Sequence, residues 1–379
     1  MTSDSPMITR TGIGAKDQLF LDNYFALYRR LLLETDIKAE LLAFRDLCLQ
    51  VKARGNKLIF AGNGASASIS SHAATDYTQH AKVRAVAFND HNLITAFGND
   101  YGYEHWVARA LEAYADPGDV VVLISSSGSS PNIVNAAKYA QERELTCVTF
   151  SGFSANNPLR PLGQPSLWLD CDDYNVIECT HLLWILLVVN LLENDDGDDA
   201  FVDRGLAAIA ETLTAPEHQG SLIAFRDIAR EVTLNSGKLI FAGNGGSSSI
   251  ASHAATDFTK QSRVRSIAFN DHNLLTCFAN DYGHEHWIAQ ALEAYAEPAD
   301  AVVLISSSGR SANVLNAARL AKHKGLPIVT FTAFDPRNPL RALGAVNFWA
   351  DTHHYSIAEG LHSAWTFCVA DLLVGKPVY

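Results

Sequence analysis

Residues 57–76, KLIFAGNGASASISSHAATD, return at residues 238–257 as KLIFAGNGGSSSIASHAATD, a displacement of 181 positions. Later landmarks keep the same displacement. The SSSG run that starts at Ser125 recurs at Ser306, and the Glu-x-x-His pair Glu178 and His181 recurs as Glu359 and His362. The chain is therefore two copies of one domain, consistent with what 379 residues lead one to expect. Each repeated stretch reads as an apolar strand, a Gly/Asn/Ser turn and a helix opening on small polar residues. In that arrangement free backbone N–H groups can face an anion.

Along the first copy, helical spacing of apolar residues marks one or two helices within residues 17–52, and residues 57–61 read as a strand. A helix is predicted over 66–79 and a strand over 83–88. A short helix, a turn at 98–102 and a longer helix reaching 114 follow. DVVVLI, residues 119–124, has no polar alternation, as in a strand buried on both faces. Pro131 suits the first turn of a helix ending near 142, followed by a strand from 145, a short strand at 166–170 and a final helix over 175–192. Such alternation predicts an α/β fold, an open parallel sheet with helices on both faces whose strand C-termini share one edge. The copies are expected at 15–193 and 201–375, joined by an acidic linker at 194–200, with residues 1–14 a disordered lead.

A net charge of −12 argues against a surface for nucleic acid or acidic lipid, so an anionic ligand needs a local site. The six cysteines form no C-x-x-C pair, and the N-terminus has no apolar core of a signal peptide; a cytoplasmic protein is the expectation. The most apolar run, residues 182–192, is too short to span a bilayer and reads as a buried helix.

Three constellations could carry chemistry. SSSGSS at 125–130 and SSSGRS at 306–311 each join a buried strand to a helix, and their hydroxyls and N–H groups could hold the oxygens of a phosphate monoester. Ser-rich turns also simply cap helices, but repetition at the switch edge of a sheet favours the ligand reading. Arg310, where the first copy has Ser129, could add charge there. Asn63, Gly64 and Ser66, with Asn244, Gly245 and Ser247, form a second anion- or hydroxyl-friendly turn; it has neither Walker A nor G-x-G-x-x-G spacing. Finally, His72 and Asp76 lie i, i+4 on one helix and Glu178 and His181 lie i, i+3 on another, repeated as His253, Asp257, Glu359 and His362. Converged, these pairs would suit proton transfer at a sugar carbonyl, or a divalent metal such as zinc. Clusters around residues 89–92 and 99–100, and their repeats, fit hydroxyl recognition and helix capping equally well.

AGNGGSSSIASHAATDF, NDHNLLTCFANDYG and ISSSGRSANVLNAA, in that order and in both copies, resemble the signature stretches of the sugar isomerase (SIS) domain. Within it they look like the subgroup of sedoheptulose 7-phosphate isomerase and its non-catalytic, replication-initiator-binding relative. The resemblance spans about residues 41–192 and 222–373. It implies a five-stranded α/β/α sandwich, sugar phosphate held by the Ser-rich loop, and sites assembled where subunits meet. It puts phosphate contacts on Ser66, Ser125, Ser126, Ser127 and Ser130, and on Ser247, Ser306, Ser307, Ser308 and Ser311. Asn63 and Asp100, with Asn244 and Asp281 in the repeat, match sugar-pocket positions. The subgroup's catalytic glutamate becomes Asp76 and Asp257, one methylene shorter. Its final-helix glutamine becomes Glu178 and Glu359, with His181 and His362 nearby. Its later catalytic histidine falls on Leu186 and Phe367, a departure from the pattern.

The expected function is aldose–ketose isomerisation of a sugar phosphate by carboxylate and histidine through an enediol. Asp76 or Glu178 would be the base and His181 would serve in ring opening or as the acid, with no cofactor required unless a metal binds. The alternative is a non-catalytic phosphosugar-binding regulator. The fused pair would stand in for two subunits of a tetramer, so the expected assembly is a homodimer with four SIS domains.

Overall fold

Unbroken apolar runs become the central strands. In the computed structural model, which describes residues 13–194 and 199–375, the first copy contains α1 (Ala15–Glu34), α2 (Lys38–Arg54), β1 (Leu58–Gly62), α3 (Ala65–Gln79), β2 (Ala85–Ala87), α4 (His91–Tyr101), α5 (Trp106–Tyr114), β3 (Val120–Ile124), α6 (Pro131–Glu142), β4 (Thr146–Ser151), β5 (Ser166–Trp168) and α7 (Tyr174–Glu193). The second contains α8 (Asp199–Leu213), α9 (Gln219–Leu234), β6 (Leu239–Gly243), α10 (Gly246–Lys260), β7 (Ser266–Ala268), α11 (His272–Tyr282), α12 (Trp287–Tyr295), β8 (Ala301–Ile305), α13 (Ala312–His323), β9 (Ile328–Ala333), β10 (Val346–Ala350) and α14 (Tyr355–Val374).

Each copy has one five-stranded parallel sheet, ordered β2-β1-β3-β4-β5 in the first and β7-β6-β8-β9-β10 in the second. Residues alternate between its faces. Leu58 and Phe60 join the core under α3 and α7, whereas Ile59 and Ala61 join the one under α5 and α6. The order reverses between β1 and β3, so the turns after those strands part and leave a crevice at their C-terminal ends. Those turns are the GNG and SSSG stretches.

One continuous core joins the copies through α7 and α14. Residues 175–191 of α7 are all buried, as expected for a helix apolar on every side. Gly360 of α14 admits Leu183 of α7; a Cβ there would stand 2.4 Å from the Leu183 methyl. Asp371 of α14 accepts hydrogen bonds from Tyr24 of α1 at 3.2 Å and Asn175 of α7 at 2.7 Å. Both helices are 20 residues long and apolar enough to cross a bilayer, so length does not distinguish them; 94% and 83% of their most apolar windows are buried inside the protein.

Some boundaries differ from the sequence reading. The predicted turn at 98–102 is helical up to Tyr101 and breaks at Gly102, whose φ of +87° favours glycine. The strand expected over 83–88 shrinks to Ala85–Ala87. The second copy's first helix starts at Asp199, inside the expected linker. Residues 1–12 of the expected lead and 195–198 of the linker lie outside the described residues.

Candidate active site

Two turns at the crevice are tied together by side chains. The Asn63 and Asn132 amides donate to each other's carbonyl oxygens, both at 2.9 Å, and the Tyr103 hydroxyl donates to Asn63 Oδ1 at 3.0 Å. Asn244 and Asn313 repeat the pair at 3.0 and 2.8 Å. Asn63 therefore spends its amide on holding the β1 turn to the β3 turn. Asn132, buried and not singled out from sequence, is its partner; its only signal was the repeated Asn two residues after each serine run. The β3 turn closes on itself through Ser125 Oγ and Ser130 Oγ, 3.0 Å apart, and Ser306 and Ser311 do the same at 3.1 Å. Gly128 is needed at its crest: φ is +62°, and a Cβ would lie 2.0 Å from Asn157 Oδ1.

The acidic and basic groups come together across the copies, not within one. His72 Nε2 on α3 donates to Glu359 Oε2 on α14 at 2.9 Å and lies 3.5 Å from Asp76 Oδ2. Reciprocally, His253 Nε2 on α10 lies 3.1 Å from Asp257 Oδ2 and 3.4 Å from Glu178 Oε2 on α7. The expectation that His72 and Asp76 would meet Glu178 and His181 of their own copy is corrected, because α3 packs on α10 and presents its histidine to the other copy's last helix. Burial alone would push the His72 imidazole down, but Asp76 and Glu359 outweigh it and raise it to about 10. His253 rises to about 9 by the same contest between burial and the Asp257 and Glu178 carboxylates. Both are imidazolium at neutral pH.

His181 and His362 stand apart from these clusters. Nε2 of His181 donates to the Ser151 carbonyl of β4 at 3.1 Å, and Nε2 of His362 to the Thr332 carbonyl of β9 at 3.0 Å. Burial lowers each to about 4 despite those bonds, so both are neutral. Their acid–base assignment is corrected: each is spent on pinning a core helix to a strand.

Copy one's serine loop and copy two's helix share one cavity of about 590 Å³, lined by Asn63, Gly64, Ser66, Ser125, Ser126, Ser127, Ser130, Tyr174 and Glu178 from one side and Thr256, Asp257, Lys260 and Gln261 from the other. Ser126 Oγ donates to Glu178 Oε1 at 3.0 Å. The contribution of residues 256–261 was invisible in the sequence, since only packing of the two copies brings them here. Asp100 and Asp281, matched to the sugar pocket by resemblance, are exposed on α4 and α11, each accepting a hydrogen bond from the preceding Asn. Asp90 and Asp271 cap those helices. Arg310 pairs with Asp335 at 2.8 Å. Phe367, where the resemblance sets a histidine, lies against His253 with ring centroids 3.9 Å apart and the rings tilted by 33°.

Fold and site together define a tandem of parallel α/β sandwich domains that sets serine-lined turns against carboxylate–imidazole clusters shared by the copies. The SIS domain family matches residues 23–152 and 204–333, and the chain belongs to it. It is 36% identical over 155 residues to phosphoheptose isomerase of Burkholderia pseudomallei (strain K96243), covering 39% of this chain and 78% of that protein. Phosphoheptose isomerase of Bradyrhizobium sp. (strain BTAi1) is 39% identical over 135 residues, 34% of this chain and 67% of that one. The C-terminal domain of glucosamine-fructose-6-phosphate aminotransferase from Francisella tularensis shares the fold over 97% of both chains, with a TM-score of 0.63 and 13% identity. Tagatose-6-phosphate ketose/aldose isomerase from Escherichia coli does so over 98% and 95%, at 0.61 and 14%.

Proposed function

We propose that the chain interconverts an aldose phosphate and a ketose phosphate, with a heptose phosphate such as sedoheptulose 7-phosphate as the first substrate to try. The observation that carries this reading is a serine-lined anion loop sharing one cavity with carboxylates drawn from both copies. The likeness to phosphoheptose isomerases points the same way.

In this reading the loop hydroxyls and the N-termini of α3 and α6 hold the phosphate. There Asp257 takes the proton from the carbon beside the carbonyl; in the other site, where the N-termini of α10 and α13 and the loop at 306–311 hold the phosphate, Asp76 does so. The electron pair moves to the carbonyl oxygen, where imidazolium His72 or His253 offsets the enediolate charge; the proton then returns to the neighbouring carbon. Carboxylate and imidazolium thus take the roles that the neutral, buried His181 and His362 do not fill.

A divalent cation such as zinc suits the same groups. Among the described residues, His72, Asp76 and Glu359 offer ligand atoms within 4.8 Å of one another, as do Glu178, His253 and Asp257. A bound cation would polarise the carbonyl, at the cost of the imidazolium proton. The assembly proposed is a homodimer carrying four SIS domains.

A second reading, phosphosugar binding without turnover, draws on Phe367 and Leu186 at the position where the resemblance expects a histidine. One experiment separates the two: incubation with C5 to C7 sugar phosphates in deuterium oxide, with and without zinc, followed by NMR for exchange at C1 or C2. Exchange supports the isomerase; thermal stabilisation by a sugar phosphate without exchange supports the regulator. Replacing Ser126 and Ser307 together by Ala is expected to raise KM roughly tenfold or more with a smaller change in kcat, as loss of hydrogen bonds to a charged group should. An unchanged KM would refute the phosphate loop.

A further inference from the structure

One of the differences between the two sites is a single methyl group set against the imidazole. His72 Nε2 is closer to Glu359, at 2.9 Å, than to Asp76, at 3.5 Å. His253 Nε2 reverses the preference, 3.1 Å from Asp257 and 3.4 Å from Glu178. Gly246 stands against the first pair: a Cβ there would lie 2.1 Å from His72 Nε2 and 2.3 Å from Glu359 Oε2. The His72–Glu359 contact therefore fills the volume a methyl would take. Copy one has Ala65, buried, at the equivalent position. A methyl at that position matches the volume the His72–Glu359 contact takes, and in this site His253 lies closer to Asp257 than to Glu178, with the Phe367 ring centroid 3.9 Å from its own.

The polar groups around each histidine rearrange accordingly. In the site with Ala65, the loop hydroxyl of Ser126 is held by Glu178 and the carboxylate of Asp257 is held by His253. In the site with Gly246, Glu359 instead takes Ser247 Oγ at 3.2 Å and His72. Among the described residues, buried Ser307 Oγ has no hydrogen-bond partner, and buried Asp76 Oδ2 has only the 3.5 Å approach of His72 Nε2. An unpartnered hydroxyl on the phosphate loop and a carboxylate oxygen held only at 3.5 Å by its imidazole are the two groups that a phosphorylated polyol would satisfy, one donating to an anion oxygen and the other taking a proton. The cavity of the Ala65 site gains Lys260, where copy one has Gln79, a cation suited to retaining a phosphorylated ligand.

We propose that the sites divide the work. The site of Asp76, His72, Glu359 and the loop at 306–311 is the faster in turnover. The site of Asp257, His253, Glu178 and the loop at 125–130 holds the same class of ligand and turns over more slowly. Gly246 and Ala65 are positioning residues that set this difference through the imidazole. The kinetic part rests on the isomerase reading; the geometric part does not.

The test uses the full chain and four single variants, with sedoheptulose 7-phosphate as substrate and 15N-histidine NMR as a second readout. Asp76→Asn should lower kcat at least ~10-fold more than Asp257→Asn. Gly246→Ala should lower kcat with little change in KM, and Ala65→Gly should raise it. In the spectrum, Gly246→Ala should move the His72 Nε2 resonance alone, and Ala65→Gly should move that of His253 toward that of His72. Equal kcat losses from the two Asp variants would overturn the division of work. If no sugar phosphate turns over, the isomerase reading fails and the resonances alone decide. Shifts as described uphold the asymmetry as one of binding geometry, whereas coincident wild-type resonances, or resonances indifferent to both substitutions at positions 65 and 246, overturn it.

Discussion

Asp76→Asn combined with Asp257→Asn is expected to lower sugar phosphate turnover by ~10²–10⁴-fold while preserving thermal stabilisation by the same ligand. The change is nearly isosteric. It keeps an oxygen that can accept from the neighbouring imidazole, 3.5 Å from Asp76 and 3.1 Å from Asp257, but removes the base. The phosphate loop is untouched, so binding should persist where chemistry does not. Turnover close to wild type would move the base to Glu178 and Glu359, the carboxylates on the far side of each imidazole.

The second large effect is on stability at alkaline pH. His72 and His253 have an ordinary value of 6.5 and are held at about 10 and about 9 in the folded chain, so the native state keeps two protons that the unfolded chain releases. With folded values raised, the stabilisation is complete below pH 6.5 and is lost as pH climbs through the folded values. Within that window each imidazole can contribute a slope of at most about 1.4 kcal/mol per pH unit. Melting temperatures measured from pH 6 to 10 should therefore fall faster for the wild type than for a variant carrying His72→Gln and His253→Gln. Parallel curves would mean that the carboxylates do not hold the histidines protonated.

How much of this was legible beforehand depended on whether the information was local. Strands β1, β3 and β4 could be read because residues buried on both faces of a parallel sheet leave an unbroken apolar run, and the switch-point loops followed from where those runs end. The 181-residue repeat exposed Ser126 and Ser307, or Asp76 and Asp257, as pairs that matter together. It could not say which copy's glutamate faces which copy's histidine, since the packing of α3 on α10 and of α7 on α14 decides that. Grouping Glu178 with His181 failed for a related reason. Residues three apart on a helix point about 60° from each other. On a helix buried on every side, that angle sends Glu178 to the cavity and His181 to the backbone of β4. Nor could the sequence show that a glycine in place of Ala65 matters, because the atoms against Gly246 belong to the other copy's helix and to α14.

The central claim is that each site takes its helix carboxylate from one copy and its final-helix glutamate from the other. Two double variants of the full chain test it, assayed by deuterium exchange into the substrate. Glu178→Gln with Asp257→Asn damages one site twice and should leave the Asp76–Glu359 site turning over. Glu178→Gln with Asp76→Asn removes the base of one site and the carboxylate beside Ser126 and His253 in the other, and should lower exchange well below that of the first variant. The reverse outcome, loss in the first variant and survival in the second, would contradict a site shared between the copies.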